Sequence, residues 1–70
     1  MTNKLIKTLL TGETIKIVYQ NFNGFKKEMF IHLDEKLIEE YSLKAPTYYI
    51  LVKNEDDEYR NLIIEHIEIY

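Results

Sequence analysis

Between Thr14 and Leu33 apolar and polar residues alternate on either side of Asn23-Gly24. The alternation predicts two strands, and Asn-Gly is the pair favoured at the two positive-φ positions of a type I′ hairpin turn. A two-residue loop would set Phe22 opposite Phe25, Val18 opposite Met29 and Ile17 opposite Phe30, leaving apolar side chains on both faces of the ribbon. Ahead of it, Leu5, Ile6, Leu9 and Leu10 recur at helical spacing over residues 3–11, with Thr2 or Asn3 as N-cap and Gly12 to end the turn. Behind it, Asp34 reads as an N-cap, with Leu33 and Ile38 placed as a hydrophobic staple and Leu37, Ile38, Tyr41 and Ala45 as the buried stripe. Pro46 stops that helix near Lys44. Thr47 to Lys53 is β-branched and aromatic enough for a covered strand, Asn54 to Glu58 is a polar turn, and Tyr59 to Tyr70 alternates as a last strand with a bulge or break near Glu65.

The order is helix, hairpin, helix, hairpin. Lys-Leu-Ile opens both halves, at Lys4 and Lys36, and an offset of about 33 residues aligns Asn21 with Asn54 and Phe30-Ile31 with Ile63-Ile64. A degenerate duplicated αββ unit is the expectation. The predicted fold is therefore α+β: one four-stranded antiparallel sheet with both helices on one face. Its other face would carry Val18, Phe22, Phe25, Met29 and Ile31 beside Tyr48-Tyr49, more apolar surface than a monomer normally leaves wet. Homodimerisation through that face is the expected remedy, because a chain of 70 residues has a marginal core.

Composition narrows this further. The chain reads as a single domain, 1–70, and with no cysteine it has neither disulfides nor thiolate ligands. No apolar stretch approaches a membrane span and the first residues lack a signal-peptide pattern, so a cytoplasmic location is expected. The net charge of −3 is unevenly spread: residues 1–35 hold five lysines against four acids, residues 36–70 four cations against eight acids. A basic protein partner suits that balance better than a phosphate backbone. Lys, Ile, Asn, Tyr and Phe are abundant while Ala45 and Arg60 are the only alanine and arginine, the bias of an AT-rich genome.

Candidate chemistry is sparse. His32 and His66 each lie in a strand, whose adjacent residues point to opposite faces and cannot converge on a metal. Asn54, Asp56, Glu58 and Glu65 match spaced positions of a calcium loop, but Tyr59 stands where that loop requires glycine. Ser42 has no identifiable base, no Gly-rich phosphate loop exists, and the expected protein is not an enzyme and uses no cofactor or metal. One reading is a small nucleic-acid module using Lys16, Lys26 and Lys27 with Tyr19, Phe22 and Phe25, in which Lys16 and Lys27 share a face. The scarcity of arginine and the acidic total speak against direct nucleic-acid binding. The leading reading is protein interaction through acids: Glu55, Asp56, Asp57 and Glu58 at one turn, and Glu35, Glu39 and Glu40 along the second helix.

In its small size, lack of cysteine, Lys/Ile/Asn/Tyr-rich composition and Glu55-Asp56-Asp57-Glu58 cluster, the chain resembles the small host-takeover proteins of phages that infect low-GC Gram-positive bacteria. Some of those are DNA mimics that occupy the DNA-binding surface of a host protein such as the nucleoid protein HU. The resemblance implies an inhibitor of a basic host protein.

Overall fold

The computed structural model describes residues 2–21 and 23–69. Helix α1 spans Thr2–Leu10, and the side chains of Thr2 and Asn3, the expected caps, lie outside those the structure describes. Leu5, Ile6 and Leu9 are its buried stripe, and Gly12, at φ +87°, closes it by donating its N–H to the Leu9 carbonyl at 3.1 Å. Helix α2 spans Glu35–Leu43 behind the expected cap: Asp34 accepts the Leu37 N–H at 2.8 Å. Leu37 is buried, Ile38 and Tyr41 are half-buried, and Ala45 lies exposed beyond the helix rather than on its inner stripe. The strands are β1 Ile15–Gln20, β2 Lys26–Ile31, β3 Tyr49–Lys53, β4 Tyr59–Ile63 and β5 Ile67–Ile69, with a 3-10 turn over Ile64–His66.

The first hairpin departs from the expected type I′ turn by one residue. Its strands pair Ile15 with Ile31, Ile17 with Met29 and Tyr19 with Lys27. The loop closes between Asn21 N–H and the Phe25 carbonyl at 3.0 Å, and Gly24 takes φ +80°. Asn21 explains the difference. Its Oδ1 accepts the N–H groups of Asn23 at 3.0 Å and Phe25 at 3.1 Å, and Gly24 N–H reaches the Asn21 carbonyl at 3.1 Å, the pattern of a turn followed by a glycine bulge. One residue of slip exchanges the faces of an entire strand. Ile15, Ile17, Met29 and Ile31 thus share the inner face, while Lys16, Val18, Glu28 and Phe30 share the outer one.

The strands form two sheets, not the single four-stranded sheet expected: β2-β1-β5 and β3-β4, all antiparallel. The break foreseen near Glu65 is the 3-10 turn, and it redirects the chain so that β5 leaves β4 and pairs with β1, Ile17 facing Ile69. A single bridge, His32 to Lys53, ties β2 to β3 through N–H···O bonds of 3.0 and 2.9 Å. Leu9, Ile17, Ile31, Ile50 and Val52 are the largest fully buried side chains, and α1, α2 and both sheets all contribute to one apolar cluster.

This arrangement removes the basis of the expected dimer face. Met29 is 7% and Ile31 0% exposed, both within the core, whereas Val18 and Phe25 lie outside it and Phe22 falls outside the described residues.

The duplicated unit is visible as geometry. Adding 33 to each number of the first hairpin yields the second: Ile17/Met29 becomes Ile50/Leu62 and Ile31 becomes Ile64, all buried. The turns coincide bond for bond, since Asn54 Oδ1 accepts the N–H groups of Asp56 and Glu58 at 2.9 and 3.0 Å, Asp57 N–H reaches the Asn54 carbonyl, and Asn54 N–H the Glu58 carbonyl. Asp57, at φ +61°, stands where Gly24 stands in the first turn.

Candidate functional site

Two regions gather polar chemistry. The first surrounds the β3–β4 turn and the N-terminus of α2. Asp34 accepts the Tyr59 hydroxyl as well as the Leu37 N–H, which holds the start of α2 against β4 across 25 residues of sequence. The two hydrogen bonds, Tyr59 first, hold the Asp34 carboxyl below its usual 3.8, and the same contact pushes the Tyr59 phenol above 10.0. Glu55 reaches back to the Phe30 N–H at 3.0 Å, on the outward edge of β2. Asp57 lies 3.3 Å from Lys53 Nζ and 3.6 Å from His32 Nε2, and Glu58 lies 2.9 Å from Arg60. The Lys53 ammonium also sits over the Tyr59 ring, 4.9 Å from its centroid.

Six carboxylates belong to these two segments, Glu55, Asp56, Asp57 and Glu58 on the turn, Asp34 tied to Tyr59 beside it and Glu35 next to Asp34 in sequence, with Lys36, Lys53 and Arg60 as the cations of the same segments. Four of the six are tied internally. Glu35 and Asp56 are exposed and make no described side-chain contact, and Glu39 and Glu40 continue along the outer side of α2. The structure ties Asp34, the neighbour of Glu35, to Tyr59 at the end of the acidic turn, and assigns Glu55, Asp57 and Glu58 a structural share that sequence alone did not reveal.

The second region is a groove of about 310 Å³ between the two sheets. Its floor is Met29, Leu62 and Ile63; Tyr19 and His66 stand beside each other with ring centroids 6.2 Å apart; and Asn21, Lys27, Arg60 and Asn61 complete the lining. Lys27 and Arg60 are equivalent positions of the two hairpins, opposite Tyr19 and Val52 respectively. That 33-residue offset is the one sequence signal that could have joined them. Arg60 and Asn61 were not anticipated as site residues.

The lysine and aromatic set expected for nucleic acid does not share one surface. Lys16 pairs with Glu28 at 3.5 Å and Lys26 with Glu68 at 3.6 Å on the outer face, whereas Lys27 projects on the Tyr19 side. The large exposed apolar residues, Phe25, Phe30, Leu43, Tyr48, Tyr49 and Tyr59, are distributed over several elements. Among the described residues no three His, Asp or Glu side chains are placed to hold a metal ion, and Asn54 Oδ1 of the calcium-like spacing is occupied by backbone N–H groups. Among the described residues, too, no helix is long and apolar enough to cross a membrane. No protein-family model matches the chain, and comparison with curated proteins and with solved structures likewise found no match.

Proposed function

We propose that this chain is a non-catalytic binding module whose acidic end engages the basic surface of a partner protein. The observation that supports the reading is the Tyr59 to Asp34 hydrogen bond, which brings the N-terminal turn of α2 beside the Glu55 to Glu58 turn and concentrates carboxylates on one end. Glu35 and Asp56 are the two free to meet a partner's cations without undoing an internal contact. Carboxylates so presented steer a basic partner and set its orientation, and their effect falls with salt. The sharper form, implied by the resemblance to phage host-takeover proteins, is occupation of a DNA-binding surface.

The test is competition. Labelled duplex DNA bound to purified HU is followed by fluorescence anisotropy while this protein is added. Displacement is expected, weaker at high salt, and weakened roughly tenfold by Glu35→Lys together with Asp56→Lys. Displacement that ignores both salt and the two reversals would remove the acidic end from the interaction; no displacement at saturating protein removes DNA mimicry of HU.

A further inference from the structure

The groove between the sheets has a one-sided hydrogen-bonding character. Tyr19 Oη already accepts the Ile63 N–H at 3.1 Å, so its own proton is left to give. Asn21 Oδ1 is filled by the two N–H groups of its turn, which leaves the Nδ2 amide protons. Lys27 has no described partner and can only donate. Arg60 donates to the Tyr59 carbonyl at 3.0 Å and to Glu58 at 2.9 Å, using two of its five N–H groups.

The β4 backbone adds to this. By the register, Tyr59, Asn61 and Ile63 point their N–H groups away from β3; Ile63 is met by Tyr19, while Asn61 N–H has no described acceptor. A lining rich in unspent donors, two of them cationic, over an apolar floor of Met29, Leu62 and Ile63 suits a ligand with an acceptor-rich anion at one end and an apolar or planar body at the other. About 310 Å³ is the lower end of small-molecule sites.

We propose that this groove binds an organic phosphate of mononucleotide size, its phosphate held between Lys27 and Arg60 and its ring lying over Met29 and Leu62 beside Tyr19. Arginine and lysine are suited to phosphate for different reasons, the guanidinium by forked geometry and the ammonium as a point charge. The exposed Arg60 to Glu58 pair does not obstruct this, because an ion pair in water is worth little and can be exchanged for phosphate. The site is separate from the reading of the acidic end and stands or falls without it.

The experiment is titration of the folded 15N-labelled chain with AMP, adenosine and inorganic phosphate at low salt, followed by amide chemical shifts. AMP is expected to move the amides of Lys27, Asn61 and Ile63 along saturable curves, and adenosine to bind at least about tenfold more weakly for want of the charge-assisted bonds. Lys27→Ala and Arg60→Ala should each weaken AMP about tenfold. Both positions are exposed, so a native-like spectrum is expected to accompany the loss. Lys16→Ala, on the outer face, is the control and should leave affinity unchanged. No saturable shift at roughly millimolar AMP, shifts clustered away from the groove, or full affinity in Lys27→Ala overturns the proposal. Inorganic phosphate binding as tightly as AMP overturns the assignment of an organic body.

Discussion

Asn21 and Asn54 hold the same turn with the same bonds, yet Asn54 is 5% exposed and Asn21 lies in solvent. Deleting the side chain of Asn54 strands two N–H groups where water reaches poorly, so Asn54→Ala should cost about 1–3 kcal/mol in urea denaturation, and Asn21→Ala less than about 1 kcal/mol. Gly24→Ala, forced to φ +80°, should cost about 1 kcal/mol by the same measurement. At Asp34 the argument turns on pH. Its carboxyl is held below 3.8 by Tyr59 and the Leu37 N–H, so the stability it supplies is whole above the unfolded value of 3.8 and drains as pH falls through the lower folded value. Tyr59 is raised above 10.0 by the same carboxylate, so its share is whole below pH 10.0 and is lost as pH rises through the folded value. Tyr59→Phe should flatten both limbs of the stability profile, seen as denaturation midpoints measured across pH; unchanged limbs would mean that the bond is not maintained in solution.

At the scale of elements, the open edges of the small sheets are each capped at one position by a side chain. Tyr41 Oη accepts the Leu51 N–H of β3 at 2.8 Å, Tyr19 Oη accepts Ile63 of β4, and Glu55 accepts Phe30 of β2. Such caps keep edge groups from recruiting another chain. Tyr41→Phe leaves the part-buried Leu51 N–H without its acceptor and should cost about 1–3 kcal/mol in urea denaturation. The exposed Glu55→Ala should cost little but raise concentration-dependent association in sedimentation. These caps were invisible in sequence, because a tyrosine in a predicted stripe reads as apolar area and an acid in a turn as a solvated charge. The helices and most strand positions were legible because their signals are local: the Asp34 cap, the Pro46 stop, the period change at Glu13. The register was not, since Asn23-Gly24 is equally compatible with a two-residue turn and with the longer loop that Asn21 organises. The sheet division failed for a related reason, as a strand that breaks at Glu65 can rejoin either neighbour, and only three-dimensional burial of Ile67 and Ile69 against β1 selects one. Of the candidate residues, Glu55 to Glu58 share a turn because they are contiguous, and only Asp34, through Tyr59, links that turn to the start of α2, whereas the groove joins Lys27 to Arg60 across a distance no local pattern spans.

For the whole molecule, the question is whether two sheets joined by one bridge behave as one body. Ile17 and Ile50 occupy equivalent places in the two hairpins, each 0% exposed and each part of the same apolar cluster. Removing one methylene from either should cost about 0.5–1.5 kcal/mol, a sizeable part of the roughly 4–10 kcal/mol that a chain of this length commands. If the core is shared, that loss cannot remain in the sheet that bears the substitution: Ile17→Val must speed the exchange of β3 and β4 amides by the factor its cost implies, about tenfold for 1.4 kcal/mol, and Ile50→Val must do the same to β1 and β2. Hydrogen exchange followed residue by residue in the two variants reads this directly. Acceleration confined to the substituted sheet would mean that the His32 to Lys53 bridge and the 3-10 turn connect two units that open separately, and the groove between them would then lack the fixed walls that a ligand needs.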